Sequence, residues 1–237
     1  MMKHCVVWSG GMDSTLILYD LVQKGIDVET IVFETDVFGY KKREYEDHAR
    51  LEVMKYLKKQ IPIKKIKLDF GASRVLGYNG GLFQQPAMIS LTSVFGDDNT
   101  VYYFGYHKGD DFFTYQYHLL TAADHLLKTL GNKNIKFSFP LQHATKSDIV
   151  TSLQAKGLDK ICHFCEYPEH DYTGQGFCGN CTPCKTYKDA LELIDIYKRN
   201  NRSNEAYLFY EYADTFPKIE ILKCEKGEDV LATPDEG

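Results

Sequence analysis

Apolar residues in this chain follow two rhythms that alternate from the N-terminus onward. Cys5-Val6-Val7-Trp8 is an apolar run of strand length, and after Ser9-Gly10-Gly11 it gives way to Leu16-Ile17-Leu18 and Leu21-Val22 at helical spacing. Gly25 ends that helix, and Val28-Glu29-Thr30-Ile31-Val32-Phe33 reads as a second strand. Leu51, Met54 and Leu57 recur at three-residue steps inside a second helix over 43–59, and residues 63–68 form a third strand. Val101-Tyr102-Tyr103-Phe104-Gly105 is continuously apolar, as a strand covered on both faces requires. Helices over 115–130, stopped near Gly131, and over 185–198 complete the pattern. Strands alternating with helices predict an α/β fold built on a doubly wound parallel sheet, with a helical segment on its C-terminal side. Residues 227–237 are polar and are expected to fray.

Composition narrows the partners more than the fold. A chain of 237 residues with 43% hydrophobic content can bury one substantial core, so a single domain is expected over 1–226. The formal net charge of −5 gives no general attraction for nucleic acid, and Lys41-Lys42-Arg43 and the lysines between 55 and 67 read as solvated faces. No apolar run approaches membrane length and the N-terminus lacks a signal pattern, so a cytoplasmic protein without membrane attachment is expected. The 17 tyrosines and 14 phenylalanines could stack on a base, yet rings in such number read first as core packing.

Two segments carry chemistry. In Ser9-Gly10-Gly11-Met12-Asp13-Ser14-Thr15, adjacent glycines allow a sharp turn and close approach of a ligand, and hydroxyls flank the unpaired amides of a helix start. Such a pocket suits a phosphate, whereas the plainer alternative is a strand-to-helix turn capped by Asp13 or Ser14. The Gly-x-x-x-x-Gly-Lys-Ser/Thr spacing is absent, which removes the main support for an ordinary P-loop GTPase or ATPase. The second segment holds five of the seven cysteines within 23 positions: Cys162 and Cys165, then Cys178-Gly179-Asn180-Cys181-Thr182-Pro183-Cys184. Cys-x-x-Cys turns can converge on one tetrahedral metal, zinc foremost, with an iron–sulfur cluster as the rival; disulfides do not suit a reducing compartment.

Residues Ser9 to Ser14 match in full the Ser-Gly-Gly-x-Asp-Ser signature of the PP-loop, or N-type, ATP pyrophosphatases, which the chain resembles. That resemblance implies a HUP-like fold in which Ser9, Gly10, Gly11, Asp13, Ser14 and Thr15 hold the pyrophosphate of ATP while a substrate is adenylated. Within that superfamily, the Cys-Gly-x-Cys-x-x-Cys run at 178–184 is similar to that of the 7-cyano-7-deazaguanine synthases. By this likeness Cys165, Cys178, Cys181 and Cys184 are zinc ligands in a C-terminal zinc knuckle spanning 162–184, with Cys162 a spare thiol or alternative ligand. Phe139-Pro140-Leu141 followed by Lys146 resembles the family segment whose lysine faces the ATP phosphates, and Gly105 with Asp110 reproduces a Gly-x-x-x-x-Asp pattern.

The implied catalytic set is Asp13, Lys146 and Asp110, with Asp110 or Asp111 a ligand for Mg²⁺ or for an amine and a solvated loop carboxylate the plain alternative. The implied small molecules are ATP, Mg²⁺, Zn²⁺, a deazaguanine carboxylate and ammonia or a protein amine, with a homodimer open. Typical synthases carry Pro-x-Arg-Asn and Asp-Cys-Arg segments, where this chain has Gln84-Gln85-Pro86-Ala87 and Tyr115-Gln116-Tyr117-His118. A divergent relative that stops at an amide, a tRNA-modifying PP-loop enzyme and a non-catalytic nucleotide-binding protein therefore stand as alternatives.

Overall fold

The computed structural model describes residues 2–35, 40–68, 80–170 and 176–199. Five strands form one sheet: β1 (Lys3–Val7), β2 (Val28–Thr35), β3 (Ile63–Leu68), β4 (Thr100–Tyr103) and β5 (Ile135–Ser138). All their pairings are parallel and the order is β3-β2-β1-β4-β5, so β1 lies at the centre, with Val6 beside Thr30 on one side and Tyr103 on the other. Six helices connect and flank these strands: α1 (Met12–Gln23), α2 (Tyr40–Leu57), α3 (Gly80–Phe95), α4 (Phe112–Thr129), α5 (Lys146–Ala155) and α6 (Thr182–Arg199).

The two-residue period of the strands divides the core. Val6 and Tyr103 point into an apolar cluster with Leu16, Val53, Ile149, Leu153 and Ile194, contributed by α1, α2, α5 and α6. Their neighbours Cys5 and Tyr102 point the other way, to Ile89, Phe112, Ala123 and Leu127 of α3 and α4. A parallel sheet with helices on both faces is the doubly wound arrangement expected from the alternation of patterns.

The strand order, not the strand direction, reverses between β1 and β4: from β1 the chain winds outward through β2 and β3, then returns to β4 on the opposite side. The loops leaving β1 and β4 therefore diverge, opening a crevice beyond their carboxyl ends.

Helix α2 starts three residues before the expected 43 and ends at Leu57, and α4 and α6 each begin three residues early. Pro183 sits in the first turn of α6, where its missing N–H costs no helical hydrogen bond. Helix α3 and strand β5 were not expected. Gly80, Gly81 and Pro86 break the helical signature of α3, and Ile135-Lys136-Phe137-Ser138 is too short to stand out. No helix among the described residues is long and apolar enough to cross a membrane. The expected tail at 227–237 and the residues beyond Arg199 lie outside the described residues.

Candidate functional site at the β1–β4 crevice

The turn after β1 is built to leave amides open. Gly10 has φ +88°, and a Cβ there would lie 2.8 Å from the Glu46 carbonyl, so both conformation and space require glycine. Gly11 is the N-cap of α1 and no side chain caps that helix, which excludes the plain turn capped by Asp13 or Ser14. Ser9 instead accepts the Gly11 amide through its hydroxyl at 3.1 Å, and its Oγ is 3.3 Å from that of Ser14. The first turn of α1, with Gly11, Asp13 and Ser14 on the wall of a cleft, carries unpaired amides and the positive end of the helix dipole, which together suit an anion. Gly105, after β4, closes the opposite wall: a Cβ at that position would meet the Ser14 amide nitrogen at 2.8 Å.

Thr15 departs from the implied cradle. It is fully buried, its hydroxyl accepts the Trp8 indole N–H at 3.0 Å, and its amide bonds to the Gly11 carbonyl within the helix. Thr15 thus anchors the turn to the core rather than facing the crevice.

Lys146 and Asp13 meet across 133 residues of sequence. The ammonium donates to both Asp13 carboxylate oxygens, at 2.7 and 2.8 Å, with the lysine side chain 12% exposed. Lys146 is the first residue of α5, where a cation opposes the dipole; the capping box of Thr145 and Asp148 fixes the turn that holds it there. Asp110 accepts from the His107 amide at 2.7 Å, and the His107 imidazole lies 3.5 Å from its other oxygen. Burial holds the Asp110 carboxyl above the usual carboxylate range, with Asp13 adding repulsion and His107 and Lys146 opposing both. Asp111 turns out to be the exposed N-cap of α4.

Asp13, His107, Asp110 and Lys146 line one cleft of about 390 Å³, together with Ser9, Gly11, Ser14, Phe33, Gly105 and Tyr106; Asp111 is not part of it. Of the residues at the end of β2, Glu34 is tied to Lys65 at 2.9 Å, and Asp36 lies outside the described residues. The basic run at 41–43 is not simply a solvated face: Lys42 and Arg43 line the cleft, and the Lys42 side chain is only 17% exposed beside Glu46 at 3.4 Å. Helix α2 buries that face against the loop, a tertiary contact the local pattern does not carry.

Arg50 was also missed. Its guanidinium donates to the Ser9 carbonyl at 2.6 Å and to Asp47 at 2.9 Å, clamping the turn from behind. From the other side the His163 amide donates to the Gly10 carbonyl at 3.1 Å. The His163 ring stacks between Tyr45 and Phe177 and bonds to the Cys165 carbonyl; burial pushes its pKa down to about 4, so it is neutral at physiological pH.

Two residues beyond His163 begins the cysteine site. The sulfurs of Cys165, Cys178, Cys181 and Cys184 all lie within 4.8 Å of one another. One tetrahedral ion with metal–sulfur bonds of about 2.3 Å would space them about 3.8 Å apart, and Cys165 and Cys181 stand at 3.9 Å. Thiolates of a four-iron cluster sit on separate irons and need more room, so the donor set fits a single ion. The Cys178 amide donates to the Cys165 sulfur and the Cys181 amide to that of Cys178. Burial would raise the Cys178 thiol, but amides of Asn180 and Cys181 hold it down to about 7, towards the thiolate a metal requires. Cys162 is excluded from this group: it is buried in the core, where desolvation pushes its thiol up to about 12.

No protein-family model matches the chain. No curated protein matches it. Among solved structures it is similar to a predicted subunit of tRNA methyltransferase from Methanocaldococcus jannaschii, with 21% identity over 65% of this chain and 75% of that one and a TM-score of 0.47. It is similar to the U34-tRNA thiolase NcsA from Methanococcus maripaludis, solved with its 4Fe–4S cluster, at 18% identity, 99% and 78% coverage and a TM-score of 0.47. NMN synthetase from Francisella tularensis follows at 15% identity, 87% and 81% coverage and a TM-score of 0.45.

Proposed function

We propose that the protein is an ATP-dependent carbon–nitrogen ligase of the PP-loop type, which adenylates a carboxylate of the 7-carboxy-7-deazaguanine class and transfers the acyl group to ammonia or another amine. The observation that carries this is the intact Ser9–Ser14 turn at the switch point, with Lys146 delivered beside it from 133 residues away. The amides of that turn hold the pyrophosphate end of ATP, and Lys146 exchanges Asp13 for phosphate oxygens when the nucleotide enters. A carboxylate oxygen of the substrate attacks the α-phosphorus, the bond to the bridging oxygen breaks, and pyrophosphate leaves with the electron pair. The amine nitrogen then attacks the acyl carbon, AMP departs and the nitrogen loses a proton. Most of the acceleration in such a step comes from positioning and from charges already aimed at the phosphates, worth several kcal/mol.

Asp13 and Asp110 are the carboxylates suited to Mg²⁺, which when bound neutralises phosphate charge. The four cysteines suit Zn²⁺ in a closed, structural site, since thiolates fill its coordination sphere. The single domain of 1–226 and a cytoplasmic location belong to the same proposal.

Mass spectrometry of a reaction with ATP, Mg²⁺, 7-carboxy-7-deazaguanine and ammonia tests this. AMP, pyrophosphate and the amide are the expected products, with nitrile weak because the Arg-Asn and Asp-Cys-Arg segments are replaced. ADP and phosphate as main products would remove the protein from this class.

A further inference from the structure

Among the described residues four carboxylates line the cleft, and three are already engaged. Asp13 takes both its hydrogen bonds from Lys146, Asp110 takes the His107 amide, and Glu46 is paired with Lys42. Glu166 has neither a hydrogen bond nor an ion pair among the described residues; it is partly buried, and only the more distant charge of Lys42 bears on it. A carboxylate withdrawn from water normally recovers donors from its own protein; one that does not, on a cleft wall, has acceptors left for a ligand. The same wall holds Phe164, whose ring is fixed between neighbours, stacked on Phe177 at 4.7 Å and tilted against Tyr187 at 4.7 Å, so its edge is an immobile apolar border beside Glu166. Glu166 directly follows Cys165, so the four-thiol site fixes the backbone that carries it.

We propose that Glu166 is the specificity-determining residue for the carboxylate substrate, accepting the paired N–H donors of a guanine-type edge that enters the cleft beside Phe164. This rests on the deazaguanine carboxylate assignment above. A carboxylate receives two parallel N–H groups, and a guanine-type edge supplies them as lactam N–H and exocyclic amine. The adenine edge presents a donor beside an acceptor and suits this position poorly, so the base of ATP is directed elsewhere.

The test is ATP–pyrophosphate exchange by wild-type protein and Glu166→Gln, with 7-carboxy-7-deazaguanine and with its analogue lacking the 2-amino group. Wild type is expected to lose on the order of 100-fold in kcat/KM on the analogue. Glu166→Gln should lose a similar factor on the full substrate and little more on the analogue, with KM for ATP unchanged. Metal content and thermal midpoint, measured on both proteins, confirm that the variant is folded. Equal exchange by wild type and Glu166→Gln on the full substrate overturns the role of Glu166 and leaves the ligase assignment standing. An equal rise in KM for ATP also overturns it, because the residue would then serve the nucleotide. Absence of exchange by wild type with the deazaguanine overturns both.

Discussion

Arg50 carries a guanidinium into a position only 1% exposed, between Ala49 and Val53 on the buried face of α2. Its place follows from helical periodicity, but its identity argues for the surface, and only the distant Ser9 carbonyl resolves the conflict. Lys146 was legible for the opposite reason: a sequence likeness singled it out where local physics favoured an exposed lysine. Asp110 has the most directly testable electrostatics. Because burial raises its folded pKa, the folded protein keeps a proton that the unfolded chain releases, and the stability linked to this group falls as pH rises from the ordinary aspartate range through the raised value. Asp110→Asn is therefore expected to raise the thermal midpoint at pH 7, to converge with wild type in acid, and to lose most pyrophosphate exchange at every pH. Thermal melts across that range with exchange rates alongside check both halves.

Among the elements, the β1 turn and its helix were readable because glycine pairs and hydroxyls are local signals, whereas α3 was hidden by the residues that open it. The wall opposite the turn was legible only through the Gly-x-x-x-x-Asp likeness of Gly105 and Asp110; why glycine is needed there was not, since that rests on its contact with Ser14. Gly105→Ala must push backbone against backbone, so we expect a loss of about 1–3 kcal/mol and at least a tenfold weaker grip on ATP. Thr145→Ala, removing the capping box that holds Lys146 in place, should cost about 1 kcal/mol and weaken ATP binding less than Gly105→Ala, since the lysine itself remains. Denaturant midpoints and ATP titrations on the two variants distinguish a wall from a cap.

For the molecule as a whole, alternation of patterns revealed a parallel α/β sheet, but strand order rests on pairings between distant residues that no window of sequence contains. The Cys-x-x-Cys spacing indicated convergence of sulfurs and the family likeness named the four that meet, yet neither tied them to the turn after β1. Cys181→Ser should lose bound zinc and much of the folded protein, with about one zinc per chain in wild type by elemental analysis. The hydrogen bond from the His163 amide to the Gly10 carbonyl has a further thermodynamic consequence. On the proposed function, an ion that holds residues 163–165 still favours the turn assigned to ATP, and reciprocity obliges ATP to return the same free energy to the ion. Saturating ATP should accordingly slow zinc loss to a chelator, followed with a metal indicator and with the emission of Trp8, the only tryptophan in the chain. An unchanged rate would show the two sites to be independent; a slower one would make the protein hold its zinc most firmly when nucleotide is abundant.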